Sequence, residues 1–138
     1  MDGIAPSFLT GGTVIGVGID LVECARIQRA LDRQGEAFLA KVFTPAERAY
    51  CMGMRHPAPY LAARFAAKEA VAKCFTTGIG EHLDWKSVEV RKGEREEPLI
   101  ELDLKGRELL EAFGASNVRI SLSHTDCHAT AIALLLKL

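Results

Sequence analysis

The fold is decided by the stretch YLAARFAAKEAVAKCF, residues 60–75. Its alanines and other strong helix formers, with no glycine or proline among them, predict one long helix that ends before Gly78. Most residues that flank its few charges are small or apolar, so we expect the helix to be largely packed against other elements. Charged side chains on a packed helix need partners, which makes the charged residues of this stretch candidate site residues.

The segment VIGVGIDLV, residues 14–22, alternates strictly and predicts a β-strand. One face of this strand carries the apolar residues Ile15, Val17, Ile19 and Leu21, and the other face carries Gly16, Gly18 and Asp20. Two glycines weaken a strand, and their usual justification is the close approach of a ligand or of another backbone. The Asp20 carboxylate at the end of that face is therefore a candidate site residue.

Residues 23–41 predict a single helix, because apolar residues recur on one side at helical spacing. These apolar residues are Ile27, Leu31 and Phe38. A neighbouring face carries Arg26, Arg29 and Arg33. Such a stripe is commonly a solvated face, but arginine also recognises carboxylates and phosphates, so the stripe could bind an acidic partner.

A capping box is written into residues 44–47, where Thr44 is the expected N-cap, Pro45 the first helical residue and Glu47 the residue that closes the box. A short helix is expected to begin there. Residues 54–59 contain two prolines and predict a loop before the long helix.

The second half of the chain predicts two strands, one helix and a terminal hairpin, over residues 87–91, 98–102, 103–113, 117–124 and 129–136. Strands and helices thus follow one another in a single α+β domain, 1–138. Residues 1–13 show no sustained period and predict a flexible leader.

Composition excludes several classes of protein. The 138 residues are 49% hydrophobic and 25% charged, as in an ordinary globular domain. Seventeen basic and eighteen acidic residues give a formal charge of −1, which argues against general nucleic-acid binding. No apolar run approaches the roughly 20 residues of a membrane span, and no signal peptide is evident, so we expect a cytoplasmic protein without a membrane partner. The four cysteines are widely spaced and are expected to be reduced packing residues.

On the long helix, Phe65, Glu69 and Lys73 lie at positions i, i+4 and i+8, and Arg64 and Lys68 form a second pair alongside. A Glu–Lys pair at this spacing is common on helix surfaces, where it contributes only about 0.2–0.5 kcal/mol. Spacing alone therefore leaves open whether Glu69 and Lys73 form such a pair or a functional site.

Asp20 and His124 are ambiguous for similar reasons. An aspartate after a strand is often a helix cap or turn residue, although with a second carboxylate it could hold magnesium. His124 follows a predicted strand and precedes a turn, where it could contact a ligand or only the turn backbone.

Three segments, taken in order, resemble the holo-acyl-carrier-protein synthases, a small trimeric group of phosphopantetheinyl transferases. They are GVGIDLVECARI at 16–27, ARFAAKEAVAK at 63–73 with TGIG at 77–80, and SLSHTDCHATA at 121–131. The resemblance implies transfer of the phosphopantetheine arm of coenzyme A to a serine of an acyl carrier protein, with release of adenosine 3′,5′-bisphosphate. It also implies an α+β fold in which a small antiparallel sheet packs against the long helix, and a homotrimer with sites at the subunit interfaces. We hypothesise that, in a site shared between chains, Asp20 and Glu69 need not approach each other within one subunit.

The resemblance assigns roles to residues already identified. It implies that Asp20 and Glu69 bind Mg²⁺, and that Lys73, Arg64 and His124 contact the phosphates of coenzyme A. Glu69, or a water held by it and the metal, would be the base, so Asp20, Glu69 and Lys73 form the implied catalytic set. Arg26 matches an arginine that meets the carrier protein, and Arg29 and Arg33 would extend this docking face.

Two features depart from the family pattern: the leader is long, and Cys127 and His128 lie in a turn that often carries acidic or small residues. Two competing hypotheses remain at this point. One is a non-catalytic trimeric binding module, and the other is an acyl transferase that releases free coenzyme A.

Overall fold

A computed structural model describes residues 12–138. Its strands are Thr13–Glu23 (β1), Val88–Lys92 (β2), Pro98–Leu102 (β3), Asn117–His124 (β4) and His128–Lys137 (β5). Its helices are Cys24–Gln34 (α1), Glu36–Val42 (α2), Pro45–Met52 (α3), Pro57–Cys74 (α4) and Leu104–Ala112 (α5), and a 3₁₀ turn spans Trp85–Ser87. The predicted leader lies outside the described residues except at its end, where Thr13 already belongs to β1.

The α+β prediction is confirmed. An antiparallel sheet has the strand order β1-β5-β4, and β2 and β3 form a separate antiparallel hairpin. Strand β4 of the terminal hairpin buries Val118 and Ile120 and half-buries Leu122. Helix α4 packs against all three strands of the larger sheet and against α1, α3 and β2, so it is the centre of the core.

Glycines let β1 lie directly on α4. A Cβ atom at Gly18 would stand 1.9 Å from the Ala70 carbonyl oxygen, and one at Gly16 would stand 2.6 Å from that of Cys74. No side chain fits into that space, so glycine is required at both positions. The close approach anticipated for these glycines is thus to another backbone, and Asp20, on the same face of the strand, is brought towards the C-terminal half of α4.

The other face of β1 is apolar and exposed. Val17, Ile19 and Leu21 are 56%, 60% and 68% exposed, and Ile132 of the neighbouring strand β5 is 41% exposed. Nothing in the described part of the chain, residues 12–138, covers this face. Among residues 12–138, no helix combines the length and the apolarity needed to cross a bilayer.

The prediction of a single helix at 23–41 is wrong. The structure has two helices there, separated by Gly35, whose φ of 52° lies in the left-handed region. The Gly35 amide donates to the Leu31 carbonyl and terminates α1, while the following residues turn Phe38 and Leu39 into the core. Helical periodicity continues through the break because both helices bury one side.

The loop expected at 54–59 is shorter, because α4 begins at Pro57. Both prolines fall in the first turn, where backbone amides have no partner within the helix and proline costs little. The capping box is confirmed: the Thr44 side chain accepts from the Glu47 amide, and the Glu47 carboxylate accepts from the Thr44 amide. Of the four free cysteines, Cys24, Cys51 and Cys74 are buried as expected, and Cys127 is exposed.

Candidate active site

Asp20 and Lys73 meet where β1 crosses the C-terminal half of α4. The Lys73 Nζ atom lies 3.1 Å from Asp20 Oδ1 and donates to the Ile19 carbonyl over 2.8 Å. The Thr130 hydroxyl of β5 donates to the Asp20 carbonyl over 2.8 Å, which fixes the strand at this point. Asp20 is not a helix cap, since the N-cap of α1 is Glu23.

Glu69 completes this acidic site from one turn earlier on α4. Partial burial raises the pKa of the Glu69 carboxyl, and the nearby charge of Asp20 raises it further, while Lys73 and Arg26 act in the opposite direction. The charges of the two carboxylates of one chain therefore act on each other. Glu69 forms no ion pair with Lys73 among residues 12–138, because the lysine has turned to Asp20.

The donor set fits Mg²⁺. This hard cation binds through one or two carboxylates and takes its other ligands from water and substrate phosphates. Asp20 and Glu69 supply two carboxylates, and a cationic ammonium group already lies against Asp20. Within residues 12–138 there is no group of three or more His, Cys, Asp or Glu side chains that could hold a metal, so a dedicated protein cage is not built here.

A second polar site surrounds Arg64. This residue, only 6% exposed, lines a cavity of about 250 Å³ together with Tyr50, Tyr60, Lys92 and His124. The Arg64 guanidinium stacks on the Tyr50 ring at 4.3 Å, yet its Nε atom finds no hydrogen-bond partner among residues 12–138. A buried, unpartnered donor on a cation costs free energy, so the cavity is suited to an anion.

Two residues of this cavity, Tyr50 and Lys92, are not predicted from the sequence. The Lys92 Nζ atom lies 4.5 Å from the centre of the Tyr50 ring, on which Arg64 also stacks. His124 contacts the Tyr60 ring edge-on at 5.1 Å. No local signal in the sequence ties Lys92 or Tyr50 to Arg64.

The arginine stripe of α1 is divided. Arg26 lies 5.4 Å above the Phe65 ring, which stacks on Trp85, and its charge lowers the pKa of Glu69. Arg29 and Arg33 are exposed on the same helix. Arg26 therefore borders the acidic site, and the other two extend a basic surface away from it.

Lys68 is not part of the acidic site. Its fully buried ammonium lies 2.8 Å from Glu47 and donates to the carbonyls of Trp85 and Val88. The Glu47 carboxylate also accepts from the Val90 amide over 2.8 Å. The pair thus joins α4, α3 and β2, and it holds in place the elements that carry Tyr50 and Lys92.

The chain's relatives decide its family. Residues 16–133 match the family described as the 4′-phosphopantetheinyl transferase superfamily. The chain belongs to this superfamily. A holo-[acyl-carrier-protein] synthase of Chlamydia trachomatis serovar L2 is 44% identical over 121 residues, which are 88% of this chain and 98% of the relative.

Solved structures agree with this membership of the 4′-phosphopantetheinyl transferase superfamily. The holo-[acyl-carrier-protein] synthase of Neisseria meningitidis has a TM-score of 0.83 at 31% identity, covering 89% of this chain and 98% of its own. The enzyme from Helicobacter pylori, solved in complex with coenzyme A, has a TM-score of 0.77 at 30% identity, covering 86% and 98%. The resemblance drawn from three segments is confirmed.

Proposed function

We propose that this phosphopantetheinyl transferase moves the 4′-phosphopantetheine group from coenzyme A to a serine hydroxyl of an apo acyl carrier protein and releases adenosine 3′,5′-bisphosphate. The observation that carries the proposal is the cluster of Asp20, Glu69 and Lys73 at one point of the fold. Phosphoryl transfer needs positioned charge more than covalent chemistry by the protein, and this cluster offers both signs of charge.

Asp20 and Glu69 would hold Mg²⁺, which would neutralise charge on the phosphoryl oxygens of the substrate. Lys73, half-exposed on a flexible stem, can contact the same phosphates. Glu69 is the proposed general base that accepts the proton of the attacking serine, a role that a carboxylate within hydrogen-bond reach of the hydroxyl can fill.

The cavity around Arg64 is a second place for phosphate, at a distance from the acidic site. Arg64 and Glu69 are five residues apart on α4, about 7.5 Å along the helix axis. Arg64 and His124 are proposed to bind a phosphate of coenzyme A there, because the buried guanidinium has a donor without a partner. The solved relative from Helicobacter pylori binds coenzyme A, which supports this assignment.

The basic surface of α1 is proposed to bind the carrier protein. Arg29 and Arg33 are exposed and could pair with acidic side chains of a partner helix, and Arg26 lies next to Glu69, where the serine has to arrive. A cytoplasmic location suits the free cysteines and is part of the proposal.

The exposed apolar face of β1 and β5 supports a homotrimer with sites near the subunit interfaces. Exposed apolar surface of this kind is usually covered by a partner, and Ile19 and Leu21 flank Asp20 in sequence on the opposite face of the strand. Leu21→Glu should shift the mass measured by light scattering from three chains to one, whereas Leu104→Glu, on an exposed residue of α5, should not.

Transfer is tested with apo carrier protein and coenzyme A, by the mass gained by the carrier with Mg²⁺ and with a chelator. Glu69→Gln should lower the transfer rate by about 10²–10⁴-fold. The matched change Glu108→Gln, at an exposed position of α5, should leave the transfer rate unchanged. Unchanged transfer in Glu69→Gln would remove the basis for the acidic site. Release of free coenzyme A in place of the nucleotide would favour the acyl transferase, and no transfer at all would favour a binding module.

A further inference from the structure

We propose that Lys73 is the internal counter-ion of Asp20, which a divalent cation has to displace, so that this lysine sets how tightly the site takes up metal. The inference rests on the proposed function, because it assumes that Asp20 is a metal ligand. It adds a second role for Lys73, as a competitor that lowers metal affinity until substrate is present.

The contacts of Lys73 support competition. Its ammonium lies 3.1 Å from Asp20 Oδ1, at one of the oxygens that a metal would use. The strand cannot move away to relieve the competition, because Thr130 and the packing of Gly18 on α4 hold Asp20 in place. The lysine can move, since its side chain is 52% exposed whereas that of Asp20 is only 17% exposed.

Charge balance explains why the lysine has to leave. Two carboxylates, Asp20 and Glu69, face two cationic groups, Lys73 and Arg26, so the acidic site is close to neutral without metal. A divalent cation added to this arrangement meets an ammonium group on the same carboxylate, and the two repel each other. Water reaches the half-exposed Lys73 ammonium and weakens its ion pair, so the lysine is readily detached.

The proposal implies that metal and coenzyme A favour each other's binding. Once substrate phosphates are in the site, they offer Lys73 another anionic partner, and Asp20 becomes free for the metal. By linkage, substrate must then raise metal affinity by the same factor by which metal raises substrate affinity. Without the lysine, metal should bind tightly from the outset, and this coupling should shrink.

The experiment titrates the purified protein with Mn²⁺ and follows free Mn²⁺ by electron paramagnetic resonance, without carrier protein. Lys73→Met should bind Mn²⁺ about 5-fold more tightly than wild type or better, a coupling of ordinary size. The control Lys41→Met, on an exposed residue of α2, should bind like wild type. Thermal unfolding of all variants verifies that they are folded.

Two further measurements make the test specific. Asp20→Asn should abolish the gain, so that the double variant with Lys73→Met binds Mn²⁺ no better than Asp20→Asn alone. Coenzyme A should tighten Mn²⁺ binding to wild type more than to Lys73→Met. Equal or weaker Mn²⁺ binding by Lys73→Met, or a gain that survives Asp20→Asn, overturns the inference.

The binding data are independent of the transfer assay. Tighter Mn²⁺ binding by Lys73→Met in a protein whose wild type transfers nothing would refute the proposed function and leave the competition standing. Active wild type with unaltered Mn²⁺ binding in Lys73→Met would refute only the competition.

Discussion

Helix α4 carries two lysines five residues apart, and each pairs with a carboxylate from another element. Lys68 lies 2.8 Å from Glu47 of α3, and both side chains are fully buried. Lys73 lies 3.1 Å from Asp20 of β1, and it is 52% exposed. Side chains five residues apart on a helix point in directions about 140° apart, so the two lysines lie on nearly opposite sides of α4.

The two pairs differ in how completely their hydrogen bonds are made. Lys68 has the carbonyls of Trp85 and Val88 besides Glu47, and Glu47 has the amides of Thr44 and Val90 besides Lys68. Every strong donor and acceptor of this pair is used inside the protein. The acidic site instead leaves Glu69 without an ion pair among residues 12–138, and the lysine that pairs with Asp20 is half-exposed. A saturated pair is a structural brace, whereas an unsaturated pair is free to bind something else.

The largest expected effect is the difference between the two lysines in how much each contributes to the free energy of unfolding. Lys68→Met should lower the free energy of unfolding by about 3–5 kcal/mol, because it strands the buried Glu47 carboxylate. Lys73→Met should lower it by only about 1 kcal/mol, since the Lys73 side chain is 52% exposed and water screens the charges of this pair. Urea denaturation of the metal-free proteins measures both.

A second variant tests the cause. Adding Glu47→Gln to Lys68→Met removes the stranded charge and keeps an acceptor for the backbone amides, so it should recover about 1 kcal/mol or more. If Lys73→Met costs as much as Lys68→Met, the distinction between brace and binding site is wrong.

A smaller effect concerns Arg64, which lies one turn before Lys68 but has an unused donor. If unsaturated groups bind ligands, Arg64→Met should weaken coenzyme A binding by about 10-fold to 100-fold, as expected for one charged hydrogen-bonding group. Calorimetric titration measures this, with Arg107→Met on the exposed side of α5 as the control. Unaltered affinity would mean that the Arg64 cavity is only a packing defect.

The smallest effect is the pH dependence of stability contributed by Glu69. Its pKa is raised mainly by burial, so the folded protein holds this proton more tightly than the unfolded chain does. Stability should then fall as pH rises from the ordinary carboxyl value through the raised one. In metal-free protein, Glu69→Gln should remove that fall and leave the variant more stable than wild type at neutral pH.

The control for this pH dependence is Glu108→Gln, a change at an exposed carboxyl on α5. Its stability curve should run parallel to that of wild type. If the stability curve of Glu69→Gln is also parallel to that of wild type, then burial and the Asp20 charge do not raise the pKa of Glu69.

The sequence by itself determined the elements whose causes are local. Strict alternation at residues 14–22 specified β1, the alanine-rich stretch specified α4, and Thr44 with Glu47 specified the start of α3. Each of these signals acts over a few residues, through side-chain period or a cap, so it can be read without the fold. Three segment similarities were enough to indicate the family, and with it Asp20, Glu69, Lys73 and the other proposed site residues.

Only the tertiary structure decided what each charge does. The residue pattern placed Lys68 and Lys73 on one helix without indicating that one would be buried and the other exposed. It also contained no sign that Glu47, besides closing a capping box, would neutralise Lys68. The sequence also does not show that Gly18 leaves room for the Ala70 carbonyl, or that the apolar face of β1 is the exposed one. The physical reason is that burial and partnership depend on elements far apart along the chain, and these determine whether a charge is saturated or left available for a ligand.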